Sequence, residues 1–489
     1  METTQIRTQY GEVQGVRENG AVIWRGIPYA EPPVGDLRFH MPRPPQPWEG
    51  VREATRFGPV CPQPGNELDN SMFGPSNARP VQSEDCLYLN IWASDKSTEK
   101  RPVMVWIHGG AFVTGAGSLP IYDGTSLAVN GDMIVVTINY RLGPLGFLDL
   151  SSYGNAYAAN LGLLDQIAAL EWVRSNIAAF GGDPEKVTIF GESAGAMSIG
   201  ALLAMPSAKG LFRAAIMQSG ASQVLPPEAA KRIADGYLRE LGASPDDLSV
   251  LHSASTAELL QAAERLRQSG QENILSLLFQ PVIHPQTLPV EPVVAIENGA
   301  AKDIALIIGT NQDEGSLFIN QSSQILPREQ VSGALEMMTG LNGDHLVDQY
   351  PMTVQGQAQI MTDLFFWRSA VRYAQAQIAH GPVWMYRFDW SQPGHPWLGT
   401  ATHAAEIAFV FNNLPLLRHI GVQPDELTTN LAVQMQKAWI TFAHTTTPAT
   451  MEIPWGDYKK HDRTTIIFDR QINLVEDPDH DKRVQLIGD

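Results

Sequence analysis

Between residues 100 and 190 uninterrupted apolar runs alternate with an amphipathic one. Val103-Met104-Val105-Trp106-Ile107 is continuously apolar and ends in His108, Gly109 and Gly110, and MIVVTINY, residues 133 to 140, is a second such run. Neither alternates with polar positions, so both predict strands buried on two faces of a sheet. From 160 to 182 the period becomes helical: Leu163, Ile167, Leu170 and Val173 share one side, and Gly181-Gly182 end the helix. VTIF, residues 187 to 190, is another buried strand. This order of strand, helix and strand predicts an α/β fold with a large, mostly parallel central sheet and helices on its faces.

Before residue 100 the pattern predicts short strands punctuated by proline and glycine. Residues 222–300 read mostly as helix, with Ser255-Thr256-Ala257-Glu258 forming a capping box ahead of LLQAAERL. ALIIGT, residues 305 to 310, rejoins the sheet. Residues 320–380 are again helix-rich, VWMYRFDW (383–390) reads as a strand, and 427–443 as a final amphipathic helix. Length alone allows about three or four modules. However, each helical stretch is flanked by a strand needing the same core. The expectation is a single domain over 1–489, with 222–300 and 320–380 inserted over the C-terminal edge of the sheet.

Charge narrows the function. Subtracting 52 acidic residues from 34 basic ones leaves −18, which repels nucleic-acid phosphates and anionic membranes, and no basic stretch offsets it. The opening METTQIRTQYGEVQG holds no apolar run, and later runs are too short for a bilayer. The expectation is a cytoplasmic, monomeric protein acting on a small molecule, without nucleic-acid or membrane partners. Cys61 and Cys86 are the two cysteines and form no C-x-x-C pair, so reduced thiols are expected in a cytosol. No H-E-x-x-H, cysteine cluster or Walker motif occurs, and Gly143-Pro144-Leu145-Gly146 lacks the dinucleotide fingerprint, so neither cofactor nor metal is expected.

The most informative residues are Gly191-Glu192-Ser193-Ala194-Gly195, between VTIF and the small-residue stretch AMSIGALLA. A sharp strand-to-helix turn needs glycines at 191 and 195, and it lifts a Ser193 hydroxyl above the sheet at a helix N-terminus. Serine is a poor nucleophile unless a histidine, held by a carboxylate, takes its proton. In the α/β-hydrolase order both partners follow downstream. Asp313 and Glu314 lie just past ALIIG, where a parallel sheet presents functional groups, and residue chemistry leaves both open. His403 sits in a small-residue loop beyond the strand ending at Trp390, whereas His380 precedes its strand and His395 competes within the same connection. His108-Gly109-Gly110-Ala111-Phe112 can present successive N–H groups to a developing oxyanion, together with the Ala194 N–H.

These features, with Arg25-Gly26-Ile27-Pro28-Tyr29-Ala30, Pro33-Val34-Gly35, Ser83-Glu84-Asp85-Cys86-Leu87-Tyr88-Leu89-Asn90, Asn139-Tyr140-Arg141-Leu142-Gly143 and Asp313-Glu314-Gly315, run along essentially the whole chain. The chain resembles the type-B carboxylesterases, the α/β-hydrolase branch that includes cholinesterases, and especially the bacterial p-nitrobenzyl esterases. The resemblance implies a serine carboxylesterase with Ser193, Glu314 and His403 as triad and Gly110, Ala111 and Ala194 as oxyanion donors. It also implies Glu192 and Ser219 as a second polar layer behind the histidine, and salt bridges Arg38–Glu84 and Arg141–Asp165. Phe112, Phe318, Phe365, Phe366 and Trp367 are candidate pocket lining. Cholinesterases carry a choline-binding tryptophan in the loop that corresponds to residues 61–86. Here that stretch contains none, so neutral short-chain, aryl or benzyl esters are the expected substrates.

Overall fold

The apolar runs form the middle of one sheet. The computed structural model describes residues 3–65, 80–96, 100–154, 156–244, 247–269, 277–320 and 322–488. Its strands in chain order are β1 (Thr3–Arg7), β2 (Glu12–Glu18), β3 (Ala21–Pro28), β4 (Val51–Glu53), β5 (Tyr88–Ser94), β6 (Arg101–Ile107), β7 (Ile134–Ile138), β8 (Gly182–Glu192), β9 (Ala214–Gln218), β10 (Ala305–Asn311), β11 (Val383–Phe388), β12 (Thr464–Phe468) and β13 (Asn473–Glu476). Across the sheet they lie in the order β1-β2-β3-β5-β7-β6-β8-β9-β10-β11-β12-β13, with β4 paired to β2. From β7 to β12 every pairing is parallel. Both flanks are antiparallel apart from the short parallel pairing of β4 with β2. This is the α/β-hydrolase fold, with a parallel centre and mixed edges.

Strand pleating divides the core. Val103, Val105 and Ile107 of β6 join one hydrophobic cluster, Met104 and Trp106 the other, one on each face. Helix Leu161–Asn176 packs with the first and helix Glu426–Thr445 with the second. Glu426–Thr445 extends beyond the expected 427–443 and is not the last element. β12, β13 and helix His480–Leu486 follow it. β12 is only five residues long and pairs in parallel with β11, while β13 is exposed throughout, so neither carries a strong periodic signal.

Residues 222–300 contain helices Pro227–Leu241, Ser249–Ser253, Thr256–Gln268 and Pro292–Glu297, the third with the expected capping box. Between 277 and 291 the chain is irregular instead, because Pro281, Pro285 and Pro289 cannot donate to a helical ladder. The later insertion contains Arg328–Thr339, Gly343–Val347 and Val354–Met361, then a π-helical turn, Thr362–Trp367, leading into helix Arg368–Gln377.

Both expected ion pairs form. Arg38 grips Glu84 through two nitrogens, at 2.7 and 2.6 Å, and also donates to the carbonyls of Leu251, His252 and Ala254. Arg141 binds Asp165 at 2.8 and 2.7 Å, fully buried. Cys61 and Cys86 are buried thiols outside any disulfide, and a hydrogen bond with Cys61, reinforced by burial, holds the Cys86 thiol well above its ordinary pKa. Among the described residues no helix is long and apolar enough to cross a membrane, and no cluster of His, Cys, Asp and Glu could hold a metal ion.

Candidate active site

β8 ends at Glu192 and helix Ala194–Ala204 begins one residue after Ser193. Ser193 itself has φ 54° and ψ −122°, a conformation that side-chain-bearing residues rarely adopt. Its neighbours explain why the chain tolerates this. A Cβ on Gly191 would lie 2.5 Å from the Ile107 carbonyl oxygen, and one on Gly195 would collide with the same atom. The turn is thus wedged against the end of β6, and both glycines are needed for close approach.

The loop after β10 brings Glu314 beneath His403. His403 Nδ1 donates to Glu314 Oε2 at 2.6 Å, and Glu314 Oε1 accepts from the Asn311 N–H at 2.7 Å. Asp313 contributes no hydrogen bond to the imidazole. Its backbone N–H binds the Ala401 carbonyl, and burial pushes its carboxyl pKa up. The geometry therefore separates two acids that local sequence leaves equivalent. His395 Nε2 binds the Ile420 carbonyl and His380 Nε2 the Glu297 carbonyl, so both serve the scaffold.

The other imidazole nitrogen, His403 Nε2, lies 3.0 Å from Glu192 Oε1. Among the described residues no hydrogen bond joins His403 to Ser193 Oγ. A third carboxylate, Glu406, is fully buried nearby, accepting from Gln218 Nε2 at 3.0 Å and Asn311 Nδ2 at 2.8 Å. The sequence reading missed Glu406; its position three residues after His403 in a small-residue loop is the signal that could have found it. Burial opposes a charged His403, yet Glu192 and Glu314 outweigh it and raise the ring to about 9. Burial raises Glu192 and Glu406 as well. One imidazole among three buried carboxylates means that the site retains protons readily.

The loop after β6 passes through left-handed backbone at Gly110 (φ 108°), Ala111 (φ 53°) and Phe112 (φ 61°). The Gly110 carbonyl accepts from the Val113 and Thr114 N–H groups, closing the loop. Among the described residues, neither the Gly110 nor the Ala111 N–H has an acceptor in the protein. The loop is braced from outside. Gly115 exchanges two hydrogen bonds with the Gln63 side chain, and Tyr140 donates to the His108 carbonyl while stacking on its ring at 4.4 Å. Burial holds His108 down to about 4, so it stays neutral.

A cavity of about 670 Å³ joins these parts. Ser193, His403, Glu192, Gly110 and Ala111 line it, with Phe318, Phe365 and Phe366 opposite in sequence origin. The Phe366 and Phe318 rings lie 4.8 and 5.1 Å from that of His403. Two expected lining residues lie elsewhere. Phe112 is fully buried against Phe147, since its left-handed backbone turns it into the core, and Trp367 stacks under the Lys482 ammonium at 4.3 Å. Ser219 departs as well. It is buried with φ 56°, but among the described residues its hydroxyl has no hydrogen-bond partner and makes no bond to His403. Leu277 and Met361 complete the apolar wall without any local motif to mark them.

Comparison with known proteins agrees over the whole chain. Residues 2–487 match the family described as Carboxylesterase family. Para-nitrobenzyl esterase of Bacillus subtilis (strain 168) is 51% identical over 483 residues, 98% of each chain. Phenmedipham hydrolase of Pseudarthrobacter oxydans is 36% identical over 499 residues, 97% of each chain. A solved structure titled thermophylic PNB esterase superposes with a TM-score of 0.96 at 50% identity, covering 99% of this chain and 100% of that one. With sheet and insertions matched alike, the chain belongs to the carboxylesterase family and is a serine hydrolase of carboxylic esters.

Proposed function

We propose that the enzyme hydrolyses neutral short-chain, aryl or benzyl esters through an acyl-enzyme on Ser193. His403 Nε2 takes the hydroxyl proton as Oγ attacks the ester carbonyl, and the N–H groups of Gly110, Ala111 and Ala194 hold the oxyanion. The protonated imidazole then gives its proton to the departing alcohol oxygen as the C–O bond breaks. Water, deprotonated by the same nitrogen, attacks the acyl carbonyl, and the acid leaves as Ser193 regains its proton. Glu314 orients the imidazole and stabilises its charged form.

The observation carrying this reading is the imidazole bound to Glu314 at 2.6 Å in the cavity that also holds Ser193 and two unengaged loop donors. Phe318, Phe365 and Phe366 favour an apolar or aromatic substrate body, and the name of the 51%-identical relative points to benzyl esters. Residues 66–79 of the segment lacking tryptophan lie outside the described residues, so the choline expectation rests on composition. Two free buried thiols favour a reducing, cytoplasmic setting.

A panel of p-nitrobenzyl, phenyl, short alkyl and choline esters, run with intact-mass detection, tests this. An acyl adduct on Ser193 is expected with the aryl and benzyl esters, with no advantage for choline over neutral esters of the same acid. Activity rising only once ester droplets form would replace this reading with a lipase one. Absence of any serine adduct would overturn the mechanism.

A further inference from the structure

Beyond Phe365 and Leu277, which also line the active-site cavity, the insertions bound a second cavity of about 770 Å³. Part of its lining is apolar, including Leu225, Ile233, Leu278, Leu364 and Met338. Its charged lining consists of Arg232, Arg239, Arg368 and Arg372 against Asp235 and Glu291. Four cations less two anions leave +2 here, in a chain whose formal charge is −18.

None of these arginines is held in a short ion pair, although Arg239 acts on Asp235 and Glu291 on Arg368 at longer range. Asp235, between Arg232 and Arg239 on helix Pro227–Leu241, is already engaged by the Tyr153 hydroxyl and by Lys231 Nζ at 3.1 Å. Among the described residues, no carboxylate lies within ion-pair distance of any of the four guanidinium groups. Arg368 donates only to neutral acceptors, the Leu486 carbonyl at 2.9 Å and the Met338 carbonyl at 3.2 Å. Burial and then repulsion from Arg372, one helical turn away, lower its pKa, and attraction to Glu291 offsets them only in part. A bound anion would relieve that repulsion. Guanidinium pairs and carboxylates match in shape as well as charge.

We propose that this cavity binds an amphipathic carboxylate, its apolar body against the leucine and methionine wall and its carboxylate between the arginines. The choice of a carboxylate rests on the ester-hydrolase reading, because such acids are what the reaction releases. The same chemistry can come from two sources: a free carboxylic acid, or the distal carboxylate of a half-ester substrate.

The test uses enzyme whose Ser193 has been blocked by a phosphonate, so that the catalytic cavity is filled. Calorimetric titration with 4-phenylbutyrate is expected to show one saturable site. The neutral amide 4-phenylbutyramide and the Arg232→Gln/Arg372→Gln variant should each bind about tenfold more weakly or worse, the loss expected for charged hydrogen bonds. Arg239→Gln provides a second variant should the first misfold. No saturable binding, equal affinity for the amide, or binding indifferent to the arginine variants would overturn the proposal. In unblocked enzyme, noncompetitive inhibition by 4-phenylbutyrate that the variant abolishes identifies the free acid as ligand. A fall in kcat/KM for monoethyl suberate but not for diethyl suberate identifies the substrate-borne carboxylate. Failure of the phosphonate to label Ser193 would instead count against the hydrolase mechanism, and the titration would then be run on unlabelled protein.

Discussion

The two walls of the active-site cavity are built on different principles. One is the edge of the sheet, where Ser193 and the Gly110–Ala111 loop are fixed by backbone packing: Gly191 and Gly195 press on the Ile107 carbonyl, and the loop closes on the Gly110 carbonyl. The other joins the helical insertion to the turn ahead of it: Phe365 and Phe366 of the π-helical turn meet edge to face at 4.9 Å, and Phe318, just after the Glu314 turn, stacks on Phe366 at 6.0 Å. Backbone collision admits one residue type, whereas ring stacking admits several. The proposed chemistry therefore falls on the first wall and the proposed selectivity on the second, where substitution costs least.

The largest effect should come from the rigid wall. Ser193→Ala is expected to fold and to lose on the order of 10⁴-fold or more in kcat, together with phosphonate labelling. Wild-type turnover in the purified variant would remove the basis of the comparison. Next, Glu314→Gln should cost on the order of 10³-fold or more in kcat/KM, because the amide cannot stabilise the imidazolium. Asp313→Asn, which removes no bond to His403, should cost little, and a reversed ranking would show that the acids are misassigned.

On the adaptable wall, Phe318→Ala should leave kcat for ethyl acetate and the melting temperature nearly unchanged, since the ring is 42% exposed. It should lower the preference for benzyl over alkyl esters between about twofold and tenfold, the worth of one aromatic contact. An equal loss on both esters would mean that this ring serves the chemistry instead.

The pH profile tests how the walls meet at His403. The ring must be neutral to accept the serine proton, so its raised pKa should move the acid limb of kcat/KM above the ordinary histidine value of about 6.5. Glu192→Gln removes the carboxylate facing Nε2 and should shift that limb down by on the order of 1 pH unit. The sign for stability is opposite. A raised folded pKa in His403, Glu192 or Glu406 contributes stability below the unfolded value that fades as pH rises through the folded one. Acid loss of activity with a constant folded fraction is therefore expected, and loss that tracks unfolding by circular dichroism would contradict it.

The same contrast explains what could be read from sequence. The strands at 103–107 and 187–190, the turn at Ser193 and the loop at Gly110 follow from local apolar runs and glycine placement. Glu314 required the family resemblance, because only the fold distinguishes its reach from that of Asp313. Phe112 and Trp367 were misplaced for a related reason. Aromatic type is local information, but the left-handed backbone at 112 and the Lys482 partner of 367 are not. Glu406, Leu277 and the short strands β12 and β13 depend on contacts between distant segments, which hydrophobic period does not encode.

The backbone at Ser193 also sets a limit on how this enzyme can be improved. Holding a serine at φ 54° and ψ −122° costs of the order of 1–3 kcal/mol, which glycine would largely avoid. Selection for heat resistance alone would thus reward replacement of the nucleophile itself, so a thermostability library from this chain has to be screened for turnover in every round or its most robust survivors will be inert.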